Sequence, residues 1–270
     1  MNLTYDHHMH ELGDRSIRLN TRTFTPHQSL SEYISNYHLI QQENLIYPEF
    51  AWYILPDNSA HLIFYLFDNN GKITPKWSLI GPRSKHKIIS RKKRLFTFIC
   101  TFKPGAARPF INRPMNEFVD QAVDASVVLN GYRTHTLDHL TESAISSDYS
   151  KFTFTLESFL LYSLRLQETN SIHPVVRGIT TYQGLLSSSL KKFSAYLGYS
   201  DRQLRNIFLN HVGHSPKKVQ QINRFTKTLF HREKESNWAQ IAYDSGYYDQ
   251  SHLISDYQRL VGSSPEKLFR

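Results

Sequence analysis

The last third of the chain contains the same pattern of helix-starting and helix-ending residues twice. This repeat constrains the fold more than any other feature of the sequence. Each copy has an apolar helix face, a glycine, a polar residue suited to an N-cap, a second apolar stripe, another glycine and Ser-Pro. Glycine ends a helix in the left-handed conformation without steric cost, and proline fits a first helical turn. The C-terminal region is therefore predicted to hold two helix-turn-helix units.

The second copy spans Asn237–Arg270. Trp238, Ile241 and Ala242 form one face of its first helix, and Gly246 follows as the turn. Asp249 is a suitable N-cap for the second helix, which Gly262 ends before Pro265 restarts the chain. This helix is predicted to bury Leu253, Tyr257, Leu260 and Val261, and to expose Gln250, Ser251, His252, Ser255 and Arg259, which can meet base edges or phosphates.

These residues carry a family resemblance. Ile241-Ala242, Gly246-Tyr247, Ser251-His252-Leu253, Tyr257, Gly262, Ser264-Pro265 and Phe269-Arg270 resemble the signature of the AraC/XylS family of transcription regulators. The resemblance covers about residues 172–270 and implies a DNA-binding domain. Ser255 and Gln258 stand where the family usually has basic residues, so we expect the first unit to carry more of the specificity.

The first copy lies upstream. Leu190, Phe193, Ser194 and Leu197 are predicted to form a helix face, with Gly198 as the turn and Ser200 as the next N-cap. In the following helix Leu204, Ile207 and Phe208 face inward, whereas Arg202, Gln203, Arg205 and Asn206 face out. Gly213 ends this helix, and Ser215-Pro216 begins a long connecting helix through about His231.

A rigid connecting helix predicts two recognition helices in successive major grooves, about 34 Å apart. Arg202 and Arg205 are the first candidates for base contact, because an Arg fork can bond guanine O6 and N7 together. The candidates for base contact are Arg202, Gln203, Arg205, Asn206, Gln250, Ser251, His252 and Ser255. Those for phosphate contact are Lys217, Lys218 and Arg259, and the turn and structural positions are Gly198, Gly213, Gly246, Gly262, Pro216 and Pro265.

Charge supports a polyanion partner for this region. Residues 172–270 hold 14 Lys and Arg against 7 Asp and Glu, a net +7, whereas residues 1–171 hold 18 against 16, a net +2. A basic third beside a nearly neutral portion is typical of a nucleic-acid-binding module joined to another domain. No amphipathic helix with exposed apolar groups is found, so no membrane partner is expected.

The N-terminal portion is predicted to be β-rich over residues 24–110, as a sandwich or barrel. Phe50–Leu55 and His61–Phe67 are strand-like, and Pro56-Asp57-Asn58-Ser59 between them predicts a hairpin. The basic cluster at residues 91–94, between Lys87–Ile89 and Leu95–Phe102, predicts a solvated hairpin tip, with DNA phosphate contact as the alternative. The motifs Tyr53–Asp57, Leu62–Phe64, Leu79–Arg83, Phe102–Ala107 and Pro114–Glu117 resemble an uncharacterised domain found attached to AraC-type DNA-binding domains, which implies a sensing role without a transferable ligand.

Residues 133–170 are predicted to be helical. Phe152, Leu156, Phe159, Leu160, Ser163 and Leu164 make a stripe for packing, with dimerisation as the functional alternative. His173-Pro174 disfavours helix at residue 173 and marks the boundary. The predicted division is a flexible segment 1–20, a β-rich sensing domain 21–171 that ends in helices, and a DNA-binding domain 172–270.

Other classes find little support in the sequence. The single cysteine, Cys100, excludes an intramolecular disulfide and suits a reducing cytoplasm; a nucleophilic or repair role for it lacks a partner motif. Asp57, His61 and Glu117 lack metal-ligand spacing. The start of the chain has no apolar signal-peptide core and no apolar run is long enough to cross a membrane, so a cytoplasmic location is expected.

The sequence therefore predicts an α+β protein, a β-rich sensing domain followed by an all-α domain with two helix-turn-helix units joined by a long helix. We expect a sequence-specific transcriptional regulator without enzymatic activity, cofactor or metal. Its expected partners are double-stranded DNA and RNA polymerase, with a small-molecule or peptide effector and a homodimer as further expectations. No effector-binding residue is assigned. The alternatives are a DNA-targeted enzyme and a non-specific nucleoid-type binder.

Overall fold

The computed structural model describes residues 9–12, 19–42, 51–69, 71–90, 94–111, 113–166, 172–176, 198–232, 235 and 237–269. Two antiparallel sheets form the N-terminal part, three helices follow them, and further helices make up the C-terminal part. The fold is α+β, as predicted.

The larger sheet has six strands in the order β2-β3-β8-β5-β6-β9. Both faces of its central strands are apolar and buried. Leu62, Phe64 and Phe98 belong to the main core, and the alternate residues Ile63, Tyr65 and Ile99 belong to a smaller cluster on the other face. The hairpin between β5 and β6 turns at Gly71, whose amide donates to Asp68 Oδ1 at 2.7 Å. The strands are β2 (Leu19–Phe24), β3 (Ile34–Gln42), β5 (His61–Asn69), β6 (Lys72–Ile80), β8 (Arg94–Phe102) and β9 (Ala122–Asp124).

The smaller sheet joins β1 (Met9–Leu12), β4 (Ala51–Ile54) and β7 (Lys87–Ser90). The predicted hairpin of the segments around β4 and β5 is therefore wrong, because these strands belong to different sheets. The segment between them is buried: Asp57 exchanges backbone hydrogen bonds with Arg83, and its carboxylate lies 2.6 Å from His61 Nε2. This segment crosses from one sheet to the other and is held by buried hydrogen bonds. Its residue types are nevertheless those of an exposed hairpin turn, which is why the sequence predicts a hairpin.

A second hairpin prediction is also wrong. β7 pairs with β4, whereas β8 lies at the centre of the six-stranded sheet between β3 and β5. The strands on either side of the basic cluster therefore do not pair with each other. Residues 91–93, the predicted tip, lie outside the described residues.

Three helices cover the six-stranded sheet: α1 (Ala125–Val128), α2 (Thr134–Ile145) and α3 (Tyr149–Arg165). Asp148 caps α3 by accepting from Lys151 N, and Glu157 ties it to strand β3 through the Tyr37 hydroxyl at 3.1 Å. All six residues of the predicted apolar stripe on α3 are buried. The stripe is thus a packing surface within the chain.

The C-terminal helices are α4 (Asp201–Val212), α5 (Pro216–Arg232), α6 (Trp238–Asp244), α7 (Gln250–Val261) and α8 (Pro265–Leu268). The predicted helix at Leu190–Leu197 lies outside the described residues. Along α5 the predicted inner stripe of Val219, Ile222, Phe225 and Leu229 is buried.

The hydrophobic core runs from the N-terminal part into the C-terminal one. Phe208 and Val212 of α4 and Val219 of α5 belong to the same buried cluster as Met115 and Phe118. Conversely, Leu55 belongs to a second cluster with the buried residues of α6 and α7. The two parts of the chain therefore share apolar surface instead of closing separate cores.

We predict that Phe152→Ala lowers the free energy of unfolding by about 3–5 kcal/mol, the range for truncating a buried aromatic. The Phe152 ring lies 4.6 Å from Phe98, 5.3 Å from Phe64 and 5.4 Å from Phe96, between centroids, so its removal leaves a cavity between α3 and the sheet. Chemical denaturation measures the change. Phe154→Ala, at a position 73% exposed on the same helix, is the control and should cost less than about 0.5 kcal/mol. Equal losses would place Phe152 outside the core.

Candidate nucleic-acid interface

Helix α7 has the division of faces that a recognition helix needs. Asp249 caps it, its carboxylate accepting from His252 N at 2.7 Å, and Gly262 ends it with φ +76°. Leu253, Tyr257, Leu260 and Val261 are buried, as predicted from the apolar stripe. On the opposite face Ser251, His252, Ser255, Gln258 and Arg259 are exposed, and Gln250 is half-buried.

The ring of His252 packs on a buried tyrosine. It packs edge-to-face on Tyr247, with 5.2 Å between centroids, and Tyr247 is buried. The Arg224 guanidinium of α5 lies 5.3 Å over the same tyrosine ring and 3.5 Å from the Asp256 carboxylate. A side chain held by packing loses less conformational entropy when it binds, so His252 is pre-organised for contact.

Asp256 was missed in the sequence, where it reads as one more polar residue of α7. Its side chain is buried, and it accepts from Gln221 Nε2 at 2.7 Å while facing Arg224. Thr228 and Tyr257 make a second polar contact between α5 and α7, with 2.6 Å between their hydroxyls. Helix α5 therefore holds α7 through charge and hydrogen bonds as well as apolar packing.

Helix α4 has the same construction. Ser200 and Gln203 form a capping box, in which Ser200 N donates to Gln203 Oε1 at 2.9 Å and Ser200 Oγ accepts from Gln203 N. Leu204, Phe208 and Val212 are buried and Ile207 is half-buried. The four predicted base-contact residues, Arg202, Gln203, Arg205 and Asn206, are all exposed, although Gln203 is engaged in the cap.

The three predicted phosphate ligands lie in different surroundings. Lys217 is exposed in the first turn of α5, and Arg259 is exposed near the end of α7. Lys218 is half-buried, and its Nζ donates to Gln221 Oε1 at 3.2 Å. Burial also lowers the pKa of Lys218 below its usual value.

At the turn positions the backbone has the conformations that glycine and proline favour. Pro216 and Pro265 open α5 and α8 and are buried. A Cβ at Gly213 would lie 3.0 Å from the carbonyl oxygen of Met115, so this glycine also allows close approach of the N-terminal part. The φ angles are +69° at Gly198, +85° at Gly213, +84° at Gly246 and +76° at Gly262.

Within the part of the chain that the structure describes, no group of three or more His, Cys, Asp or Glu is arranged to hold a metal ion. Among those same residues, no helix has the length and hydropathy to span a membrane. Cys100 lies buried in β8, and burial raises the pKa of its thiol well above the usual value.

A comparison with protein families agrees with the geometry of the C-terminal helices. Residues 193–270 match the family described as a helix-turn-helix domain, and residues 22–124 match a domain of unknown function, DUF6597. No curated protein matches the chain. ToxT from Vibrio cholerae O395 is 12% identical with a TM-score of 0.43, over 95% of this chain and 98% of that one. Wild-type ToxT with a bound unsaturated fatty acid, from strain SCE256, is 12% identical with a TM-score of 0.39, over 95% and 96%.

Two capped helices with buried apolar stripes and exposed polar faces, in a region that matches a helix-turn-helix family, define a DNA-binding transcriptional regulator. Its C-terminal domain is a helix-turn-helix domain of the AraC type, and it follows an N-terminal DUF6597 domain.

We predict that Asp256→Ala lowers the free energy of unfolding by about 1–3 kcal/mol, because it removes the acceptor of the Gln221 amide and the carboxylate that faces Arg224 at 3.5 Å. Thermal or chemical unfolding gives the change. Asp244→Ala is the control: its carboxylate accepts from Gln240 at 3.0 Å on an exposed helix face, and its loss should cost a few tenths of a kcal/mol. Similar losses in both variants would contradict a structural role for Asp256.

Proposed function

We propose that this protein is a sequence-specific regulator whose helices α4 and α7 read successive major grooves of double-stranded DNA. The observation that carries this proposal is the exposed polar face on each helix, beginning at its capped N-terminal end. In helix-turn-helix proteins the N-terminal residues of the second helix contact base edges. Since one chain contains both helices, the site is expected to be asymmetric.

In this proposal α4 contributes more to base reading than α7. Arg202 and Arg205 can each bond two acceptors of a guanine, and Asn206 can bond adenine, whereas Gln203 is engaged in the cap. On α7 the corresponding groups are Gln250, Ser251, His252 and Ser255, all uncharged when the histidine is neutral. His252 is the leading candidate of these because Tyr247 fixes its ring.

Phosphate contact is assigned to Lys217 and Arg259, which are exposed, and to Lys218 after it exchanges its bond to Gln221 for one to DNA. Such contacts add affinity without sequence information, and they make binding depend on salt. Binding at several salt concentrations counts them, since each lost phosphate contact reduces the salt slope by about 0.9.

We predict that Arg205→Ala weakens binding by about 1–3 kcal/mol and relaxes preference at one base position. Selection from a random DNA pool first supplies the cognate site, and a pool without enrichment would instead favour a nucleoid-type binder. Titrations on that site and on its single-base variants then test the residue. An equal loss of affinity on every sequence would mean that Arg205 contacts phosphate instead of a base. The ranking of the two helices would be reversed if Gln250→Ala and His252→Ala reduced specific binding more than Arg202→Ala and Arg205→Ala do.

We also propose that the N-terminal domain senses a small molecule. A groove of about 330 Å³ lies between α2 and α3, within the usual range for ligand sites. Arg133 and two histidines line it beside the aromatic rings of Phe154, Phe159 and Tyr162. The Arg133 guanidinium lies 5.0 Å over the Tyr162 ring and donates to its hydroxyl at 2.9 Å. A cation against aromatic walls fits an effector with an acidic group and an apolar body.

We predict that aromatic carboxylic acids include a compound that raises the melting temperature, and that Arg133→Gln weakens its binding about tenfold or more by removing a charged hydrogen-bond donor. Calorimetric titration measures the affinity. Arg113→Gln, at an exposed arginine paired with Glu117 outside the groove, serves as the control. Stabilisation by the same compound in the Arg133 variant would place its site elsewhere.

The remaining partners have narrower support. RNA polymerase is proposed because a regulator must change transcription, and DNA as a partner favours action in the cytoplasm. A homodimer through the α3 stripe is disfavoured, since that stripe is buried within the chain. An enzymatic role for Cys100 is disfavoured by burial and by its raised pKa. We keep the proposed division into residues 1–20, 21–171 and 172–270.

A further inference from the structure

Three loops of the N-terminal domain contact the DNA-binding domain, and they reach both of its reading units. The first, between β4 and β5, carries Asn58, whose side chain is buried. Its Nδ2 donates to Val219 O at 3.2 Å and to Asn223 Oδ1 at 2.9 Å, both on α5. Its Oδ1 lies 3.0 Å from Nδ1 of His214, in the turn between α4 and α5.

The second loop precedes β7 and reaches the end of α7. The backbone amide of His86 donates to Leu260 O at 2.9 Å, which occupies one of the carbonyls that a helix end leaves open. The His86 ring lies against Gly262, where a Cβ would stand 3.2 Å from Cε1. The end of the second recognition helix is therefore fixed by the N-terminal domain.

The third loop lies against the end of α4. Arg108 Nε donates to Asn210 Oδ1 at 3.1 Å, and the carbonyl oxygen of Met115 approaches Gly213 closely. The first recognition helix thus meets the same domain that holds the end of the second.

The loops are bonded to one another. Asp57 and Arg83 join the first to the second through backbone bonds of 3.2 and 3.1 Å. Asp120 N donates to Pro82 O at 2.9 Å, Ser84 N donates to Asp120 Oδ1 at 2.8 Å, and these bonds join the second to the third. A force on one contact is therefore transmitted to the others through short bonds.

We propose that these loops determine the spacing between the two DNA half-sites that the protein accepts, with Asn58 as the central positioning residue. The inference rests on the proposed reading of DNA by α4 and α7. Within the described C-terminal residues, α5 connects the two recognition helices, and a single helix of 17 residues can bend. The loops add a second connection from α4 and its following turn to the end of α7.

The test varies the DNA as well as the protein. Each inserted base pair moves one half-site by about 3.4 Å and turns it by roughly a tenth of a helical turn. Sites with the selected spacing and with one base pair removed, one added and two added are titrated with the full-length protein. For the wild type, a change of one base pair should weaken binding about tenfold or more, comparable with a mismatch.

Asn58→Ala should flatten this profile, so that the same change costs roughly threefold or less, because the second reading helix can then shift. A merely structural loss would weaken binding at every spacing by the same factor and leave the profile unchanged. Asn58→Asp keeps the size of the side chain and removes its donors, and Asn223→Ala removes the partner from the other side. If the residues act through one contact, the double variant has the profile of either single variant. Thr74→Ala, exposed on β6 and outside the three loops, is the control.

The possible outcomes distinguish failure of the proposed DNA recognition from failure of the proposed role of the loops. Failure of the wild type to select any sequence would overturn the proposed function itself. Sharp spacing preference in the wild type that is retained by folded Asn58 and Asn223 variants would overturn only the role of the loops. Thermal unfolding of each variant establishes that it is folded, and Asn223→Ala decides the matter if both Asn58 variants unfold.

Discussion

The shared burial of apolar surface between the two parts of the chain is the constraint on which the rest of the structure depends. Helix α4 has too few residues to form a hydrophobic core by itself. Its Phe208 and Val212 therefore pack with Met115 and Phe118 of the preceding domain. Small domains bury a smaller fraction of their surface on folding, so a shared apolar surface contributes directly to their stability. The orientation of the first recognition helix follows from this packing, because its apolar stripe faces inward and leaves the arginines exposed.

Local signals in the sequence were sufficient to predict the two helices that we propose to read DNA. The N-caps at Ser200 and Asp249, the four turn glycines and the two Ser-Pro exits each act within a few residues, and the structure has them where the sequence places them. The inner stripes of α3, α5 and α7 are likewise found buried, since helical periodicity is a local property. These features could be predicted because their causes lie next to them in the chain.

The strand pairings could not be predicted in the same way. Pro56–Ser59 has the composition of a hairpin turn, yet it crosses between sheets because Asp57 bonds to Arg83 and Asn58 bonds to helix α5. Both partners are distant in sequence, and no residue pattern near Asn58 predicts these contacts. Asp256 was missed for a related reason: its partners, Gln221 and Arg224, stand on another helix, so its burial has no local signal. Local determinants of the fold are therefore predictable from the sequence, whereas the burial of a polar residue by a long-range hydrogen bond is not.

A regulator whose two domains share buried contacts can transmit a signal through those contacts. An effector can change DNA binding only by the difference in its affinity for two states of the protein. In this chain such states can differ at the loops around Asn58, His86 and Met115, since among the described residues these loops contact helices α4, α5 and α7 or the turns that end them. Helices α2 and α3, which line the proposed effector groove, pack on the six-stranded sheet, and strands β5 and β6 of that sheet continue into the first two loops. An effector that shifts α3 against the sheet would therefore act on the distance between the reading helices, which makes half-site spacing the property on which sensing and base recognition meet.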